Sequence, residues 1–298
     1  MPSASTSAIK FSHLDKVLFP EDSITKGELI DYYGSVAERI LPHLRERPLA
    51  VARYPNGVDK PSFFQQAAPD HLPSWIKQVT VPKEGGEIAH IVCQDEQTLA
   101  FLANQAAITL HTWLSRADRP ERPDQLLFDL DPPHDFEEAR HAALALRELL
   151  TELGLTSVVK TTGGRGLHVS VPVERRYEAD ELREFARDVC AILESREPDR
   201  YTGEVRKAKR GGRLFLDVSR NAYAQLAVAP YTVRATPNAR VATPLEWDEL
   251  EAGALDPNRF TLRTMADRLA EADPWAVLPE PVTSLGSART RVDSLLLV

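Results

Sequence analysis

The segment Leu126-Leu127-Phe128-Asp129-Leu130-Asp131-Pro132-Pro133 constrains this chain more than any other stretch. Three large apolar residues run into two carboxylates separated by one leucine, and paired prolines close the run. An apolar run ended by a breaker predicts a buried strand. Side chains alternate along a strand, so Asp129 and Asp131 fall on one face and Leu130 on the other. Two ionised carboxylates side by side at the end of a buried strand repel each other unless a cation neutralises them. Hard divalent ions such as Mg²⁺ or Mn²⁺ prefer oxygen ligands and bring phosphates with them. A frayed strand end with two solvated acids has the same pattern, so the metal reading needs support from elsewhere in the chain.

Three other segments supply that support. Thr161-Thr162-Gly163-Gly164-Arg165-Gly166-Leu167-His168-Val169-Ser170 places a glycine loop between two β-branched strands. It leads into a strand and not a helix, so it is neither a Walker A loop nor a dinucleotide fingerprint. Glycines let backbone N–H groups approach an anion, Arg165 adds a fork of donors and Thr162 a hydroxyl. His168 alternates with Leu167 and Val169 and so shares a face with Ser170. A plain glycine hairpin is the competing reading; with Thr162, Arg165 and His168 in one loop, a phosphate cradle is favoured. Asp217 ends the apolar run Leu214-Phe215-Leu216 just as Asp129 ends its own. If the two strands are neighbours, three carboxylates converge at one sheet end, the geometry of a two-metal site. The basic run Arg206-Lys207-Ala208-Lys209-Arg210-Gly211-Gly212-Arg213 lies immediately before that strand.

Composition sharpens the meaning of that basic run. The net charge is −8 and the pI about 5.6, which argues against wholesale coating of nucleic acid or of an anionic membrane. A nucleic-acid partner has to be held by local positive patches. With 298 residues, of which 43% are hydrophobic, the chain can bury a sizeable core. Its cysteines, Cys93 and Cys190, make neither a disulfide framework nor a zinc cluster, which fits a reducing, cytoplasmic setting. Met1 to Lys10 reads as a loose polar arm without a signal-type apolar region, and no stretch approaches a membrane span.

The order of elements predicts an α+β fold. Thr25-Lys26-Gly27-Glu28 outlines a capping box opening a helix through Leu29, Tyr32, Tyr33, Val36 and Ile40, ending near Pro42. Strands are expected at Leu49–Tyr54, Phe63–Gln66 and Ile88–Cys93. A helix is expected over 96–115, with Leu99, Leu102, Ala106, Leu110 and Trp113 on one side and His111 flanking that stripe. Phe136–Leu153 forms an amphipathic helix closed by Gly154, and Tyr177–Glu194 another. Leu226–Val233 reads as a strand, Pro244–Leu250 as a short helix, and the tail after Glu271 as a surface wrap. Locally, Lys16 and Lys26 are ordinary lysines.

Taken together, Phe128-Asp129-Leu130-Asp131-Pro132, Thr162-Gly163-Gly164-Arg165-Gly166-Leu167-His168-Val169 and Phe215-Leu216-Asp217 resemble the three motifs of the archaeo-eukaryotic primase superfamily. More narrowly the chain resembles the polymerase domain of bacterial ligase D and its stand-alone relatives, over roughly residues 11 to 275. Leu14-Asp15-Lys16-Val17-Leu18-Phe19-Pro20, Arg53-Tyr54-Pro55-Asn56-Gly57, Phe63-Phe64-Gln65 and Ala229-Pro230-Tyr231-Thr232-Val233-Arg234 extend the likeness. The resemblance implies a primase-like α+β fold of two interlocked α/β modules with mostly antiparallel sheets flanking a catalytic cleft. The modules would span about 11–120 and an RRM-like 121–275, with a tail at 276–298.

It also implies roles. Asp129, Asp131 and Asp217 match carboxylates that hold two Mn²⁺ (or Mg²⁺) ions. Thr162, Gly163, Arg165 and His168, with Arg234, match contacts to the triphosphate of an NTP or dNTP, and His111 a histidine near the sugar. Lys16 and Lys26 match a grip on a DNA 5′-phosphate, Phe63 and Phe64 aromatics against the template. Arg53 is placed with DNA, and Lys209 and Arg210 in the loop that sets the primer end. Arg165 stands where lysine is common, Gln66 where many members carry lysine, and residues 220–225 depart from the ligase D pattern, which hints at a stand-alone branch; these 298 residues contain no ligase or nuclease domain. The implied function is template-dependent nucleotidyl transfer at DNA gaps or breaks in end joining. A separate ligase and an end-binding repair protein are the expected partners, and the chain is expected to be monomeric, cytoplasmic and nucleoid-associated. Alternatives are a non-catalytic DNA-end scaffold and an Asp-X-Asp glycosyltransferase.

Overall fold

The computed structural model describes residues 9–276 and 285–297; the expected polar arm at 1–8 lies outside them. A two-stranded ribbon, β1 (Val17–Phe19) and β2 (Ile24–Thr25), leads into α1 (Lys26–Ser35). The capping box forms: the Glu28 amide donates to Thr25 Oγ1 at 3.2 Å and the Thr25 amide to the Glu28 carboxylate at 2.9 Å. The single helix expected up to Pro42 is two. Gly34 and Ser35 are weak helix formers, the Ser35 hydroxyl donates to the Tyr32 carbonyl, and Val36 has ψ 2°. A second helix, α2 (Ala37–Leu44), then carries Pro42 inside it.

Strands β3 (Leu49–Arg53), β4 (Phe63–Gln65), β5 (Gln78–Lys83) and β6 (Gly86–Ile91) follow. The expected 96–115 helix is corrected to a helix and a strand, α3 (Glu96–Asn104) and β7 (Ala107–Trp113). Asp95 caps α3, Ala106 turns the chain at φ 55°, and Ile108, Thr109 and Thr112 prefer extended backbone. Nearly every residue of β7 is buried on both faces, so its apolar pattern lacks the alternation that marks a half-wet strand. His111 therefore sits on a strand.

The second half contributes β8 (Gln125–Asp131), α4 (Phe136–Glu152), β9 (Val158–Thr161), β10 (Leu167–Pro172) and α5 (Ala179–Arg196). After them come β11 (Tyr201–Thr202), β12 (Leu214–Asp217), β13 (Leu226–Val228), β14 (Pro244–Leu245), α6 (Trp247–Glu251) and α7 (Met265–Ala270). In the tail, α8 (Leu285–Leu296) buries Leu285, Ala288 and Val292 in the same core as α5. No helix among the described residues is long and apolar enough to cross a membrane.

Two six-stranded sheets result. One runs β13-β7-β3-β6-β5 with β4 added on β3; the other runs β11-β12-β8-β10-β9-β14. All pairs are antiparallel except β11 with β12. Strand β13 crosses back into the first sheet, and Ala229, Tyr231, Val233 and Val241 share its core. One face of the second sheet, through Leu126, Phe128, Leu130, Val159 and Val169, packs on α4 and α5 residues such as Leu146, Leu150, Phe185 and Val189. Its opposite face looks toward the first sheet, where Leu127 meets Leu114 and Ala227. Buried Arg47 tightens the β7–β8 connection through Asp124 at 2.7 Å and the Leu114 carbonyl at 2.9 Å.

Candidate active site

Strand register builds the site. Asp217 on β12 lies opposite Asp129 on β8, Asp129 opposite His168 on β10, and His168 opposite Lys160 on β9. Opposite residues of antiparallel strands share a face with Cα atoms about 4.5–5.5 Å apart, so four polar side chains form one row across the sheet. Asp131, two residues beyond Asp129 and opposite Phe215, extends the row on the same face. The face opens into a cleft of about 640 Å³ between the two sheets.

The row is charge-balanced by its neighbours. Burial by itself would raise the Asp129 carboxyl, but His168, Arg220 and Lys160 outweigh it and hold the group below its usual range. His168 Nε2 is 3.5 Å and Arg220 Nε 3.8 Å from Asp129 oxygens. Burial and the Lys160 charge push the His168 imidazole down to about 4, so the ring is neutral near pH 7. Asn221 clamps the free edge of β8, accepting from the Leu127 amide at 2.8 Å and donating to its carbonyl at 2.7 Å; the same turn delivers Arg220. Asp217 Oδ1 accepts from the Ser219 amide at 2.7 Å. Arg210 lies 3.8 Å from Asp131, its guanidinium 3.9 Å from the centre of the Phe215 ring and held by the Glu204 and Val205 carbonyls.

Among the described residues no three His, Cys, Asp or Glu side chains are drawn together closely enough to hold a metal ion. The donor set nevertheless suits one. Asp129, Asp131 and Asp217 offer oxygen alone, as hard divalent cations prefer, and all three line the cleft.

The glycine loop closes the other side. The Thr162 hydroxyl donates to the Gly166 carbonyl at 3.1 Å and accepts from the Gly164 amide at 3.2 Å, so it shapes the loop. Gly163 has φ 66°, and a Cβ there would lie 2.6 Å from Cγ of Arg234. Arg234 donates to the Thr162 carbonyl at 3.3 Å and reaches the cleft, as do Gly164, Arg165 and Gly166. Arg165 is exposed, with no hydrogen bond or ion pair to the described residues. Across the cleft, His111 stands edge-on to Phe64 with ring centres 5.1 Å apart. Burial, then Arg234 and Arg220, lower its imidazole to about 3.

The residues expected at DNA lie at differing distances from this centre. Phe64 lines the cleft; Phe63 does not, and both rings are nearly half exposed, at 46% for Phe63 and 49% for Phe64. Arg53 lies 4.9 Å from the Phe63 ring centre, its donors taken by Gln105 and Gln65. Lys209 is exposed in a single 3₁₀ turn, and Arg210 beside it enters the cleft. Lys16 and Lys26 are outside the cleft lining. Lys16 donates to Asn56 at 2.9 Å, whereas Lys26 is only 6% exposed and donates to the Asn104 carbonyl, Asn104 Oδ1 and the Ser12 hydroxyl. Lys26 thus ties the 10–16 segment to α3 in this arrangement. Sequence reading missed Lys160 and Arg220. Lys160 had a signal: a charged residue inside Val158-Val159-Lys160-Thr161, on the face opposite the buried Val159.

The family model for the LigD primase-polymerase domain matches residues 25–275. The chain belongs to that family. LigD primase-polymerase domains are nucleotidyltransferases of non-homologous end joining, and the α+β architecture with antiparallel-rich sheets agrees with the expected one. The multifunctional non-homologous end joining DNA repair protein LigD of Mycobacterium tuberculosis is 34% identical over 265 residues, covering 86% of this chain and 35% of that protein. The bifunctional non-homologous end joining protein LigD of Bacillus subtilis is 33% identical over 264 residues, 88% of this chain and 42% of that protein. The chain therefore spans well under half the length of these relatives. Among solved structures, the polymerase domain from Mycobacterium tuberculosis ligase D in complex with DNA superposes with a TM-score of 0.83 at 32% identity, covering 88% of this chain and 94% of that one.

Proposed function

We propose that this LigD-type domain extends primer 3′ ends on a DNA template at gaps or breaks, drawing on NTPs or dNTPs. The observation that carries the reading is the cross-strand row of Asp217, Asp129 and His168, with Asp131 beside it, facing the 162–166 loop across one cleft. Asp129, Asp131 and Asp217 would hold a pair of Mn²⁺ or Mg²⁺ ions. Bound there, the ions supply the positive charge that favours ionisation of the primer 3′-hydroxyl and steadies the departing pyrophosphate. Loop N–H groups, Arg165 and Arg234 orient the triphosphate so that the α-phosphorus faces the hydroxyl in line. His111 and Phe64 border the sugar and the templating base, and Arg210 with Lys209 sets the primer terminus. Lys16, bonded to Asn56 outside the cleft, is the contact for a downstream 5′-phosphate, with Lys26 shaping its surroundings.

The glycosyltransferase alternative leaves Arg210, Arg220 and the basic 206–213 run without a task. A gapped-duplex extension assay with labelled primer tests the proposal. The expected result is metal-dependent growth by the wild type, faster when the downstream strand carries a 5′-phosphate. DNA binding without any extension would favour the scaffold reading instead. Lys16→Ala is expected to remove most of the 5′-phosphate advantage while leaving extension on an unphosphorylated gap unchanged. Arg234→Ala is expected to raise the KM for nucleotide roughly tenfold to a hundredfold, the effect of losing charge-assisted hydrogen bonds worth about 1.5–3 kcal/mol. An unchanged KM would remove Arg234 from the nucleotide site.

A further inference from the structure

His168 presents Nε2 to Asp129, but its other ring nitrogen, Nδ1, is buried with no protein hydrogen-bond partner. Leaving a buried ring nitrogen unpaired is unfavourable by about 1–3 kcal/mol. A cavity of about 20 Å³ beside the active-site cleft is lined by His168, Lys160, Ser170 and Trp275. That volume holds one water molecule, which needs two to four polar partners. Trp275 Nε1, like His168 Nδ1, is buried without a partner. Lys160 is 3% exposed, lies opposite His168 in strand register, and its ammonium has a single long contact, 3.5 Å to the Thr161 carbonyl. Two buried ring nitrogens without partners, an ammonium with one long contact and a water-sized space therefore belong to one cavity.

We propose that Lys160 is a positioning residue for nucleotidyl transfer, acting through one ordered water that accepts from Lys160 and Trp275 Nε1 and donates to His168 Nδ1. By donating to Nδ1, that water leaves the ring proton on Nε2. His168 then donates from Nε2 to Asp129 Oδ1 and holds the carboxylate in the orientation that faces Asp217. The sheet thereby carries a relay from β9 through β10 to β8, and Lys160 sets the geometry of a residue that it does not touch.

The part played in the reaction rests on the polymerase reading; the tautomer does not, so the test reads both. Long-range ¹H–¹⁵N spectra of the imidazoles, with the His168 signals assigned by comparison with His168→Gln, report which nitrogen bears the proton. The wild type is expected to show His168 as the Nε2–H tautomer with Nδ1 accepting a hydrogen bond. Lys160→Met is expected to erase the acceptor signature and to lower kcat about 10–100-fold, as loss of an outer-shell partner typically does, with the KM for nucleotide little changed. Lys160→Gln, which keeps an N–H donor, is expected to restore the signature and most of the kcat. An Nδ1–H tautomer in the wild type, or a His168 spectrum unmoved by Lys160→Met, overturns the relay. A lost signature with unchanged kcat overturns the positioning role. If Lys160→Met fails to fold, the wild-type and Lys160→Gln spectra still decide, as they do if the wild type extends no primer.

Discussion

Replacing Asp129 by Asn is expected to slow primer extension by about 10³-fold or more while lowering the melting temperature by only a few degrees. Asp129 occupies the centre of the polar row, in register with Asp217 on one side and His168 on the other. Asparagine keeps the volume and the strand but removes the negative charge. On the proposed two-metal reading, a pair of divalent ions would contribute several kcal/mol of transition-state stabilisation, and each 1.36 kcal/mol is a factor of ten in rate. The fold suffers little because the carboxylate's polar contacts are long, 3.5 Å to His168 and 3.8 Å to Arg220. Arg220 and His168 still line the cleft beside Asp131 and Asp217. Single-turnover extension and thermal melting measure the two quantities, and Mn²⁺ binding followed by electron paramagnetic resonance should weaken in parallel. Extension retained within tenfold of wild type would place the chemistry elsewhere.

Gly166→Ala should be nearly as damaging, for a steric reason. A Cβ at residue 166 would lie 2.3 Å from the Leu130 carbonyl oxygen and 3.6 Å from Cδ of Pro132. Both neighbours belong to the segment that carries Asp129 and Asp131, and a backbone carbonyl in a central strand cannot swing aside. Relief has to come from separating β10 from β8, which moves His168 relative to Asp129. Overpacking of this kind costs about 1–3 kcal/mol, and a displacement of about 1 Å at reacting groups costs roughly a hundredfold in rate. Gly164→Ala is the matched control. Its Cβ would meet only the Thr162 hydroxyl, at 3.2 Å. Denaturant unfolding of the two variants should differ clearly; equal, small effects would mean that the loop does not press on β8 in solution.

Local chemistry decided a definite share of this protein by itself. The run ending in Asp129-Leu130-Asp131, the glycine loop before His168 and the run ending in Asp217 each announce a strand and the face of its polar residues, because alternation and breakers act within a few residues. The ordered set of motifs pointed to the polymerase family as well. The 107–113 strand was not legible, because both its faces are buried and the two-residue period disappears. Nor was the burial of Lys26, whose ammonium is surrounded by Asn104 and Ser12, distant in sequence. The meeting of residues 129, 131 and 217 with 168 and 160 depends on which strands pair and in what register. Pairing is settled by which faces must be buried against α4, α5 and the first sheet, a property of the whole packed chain and not of any one segment.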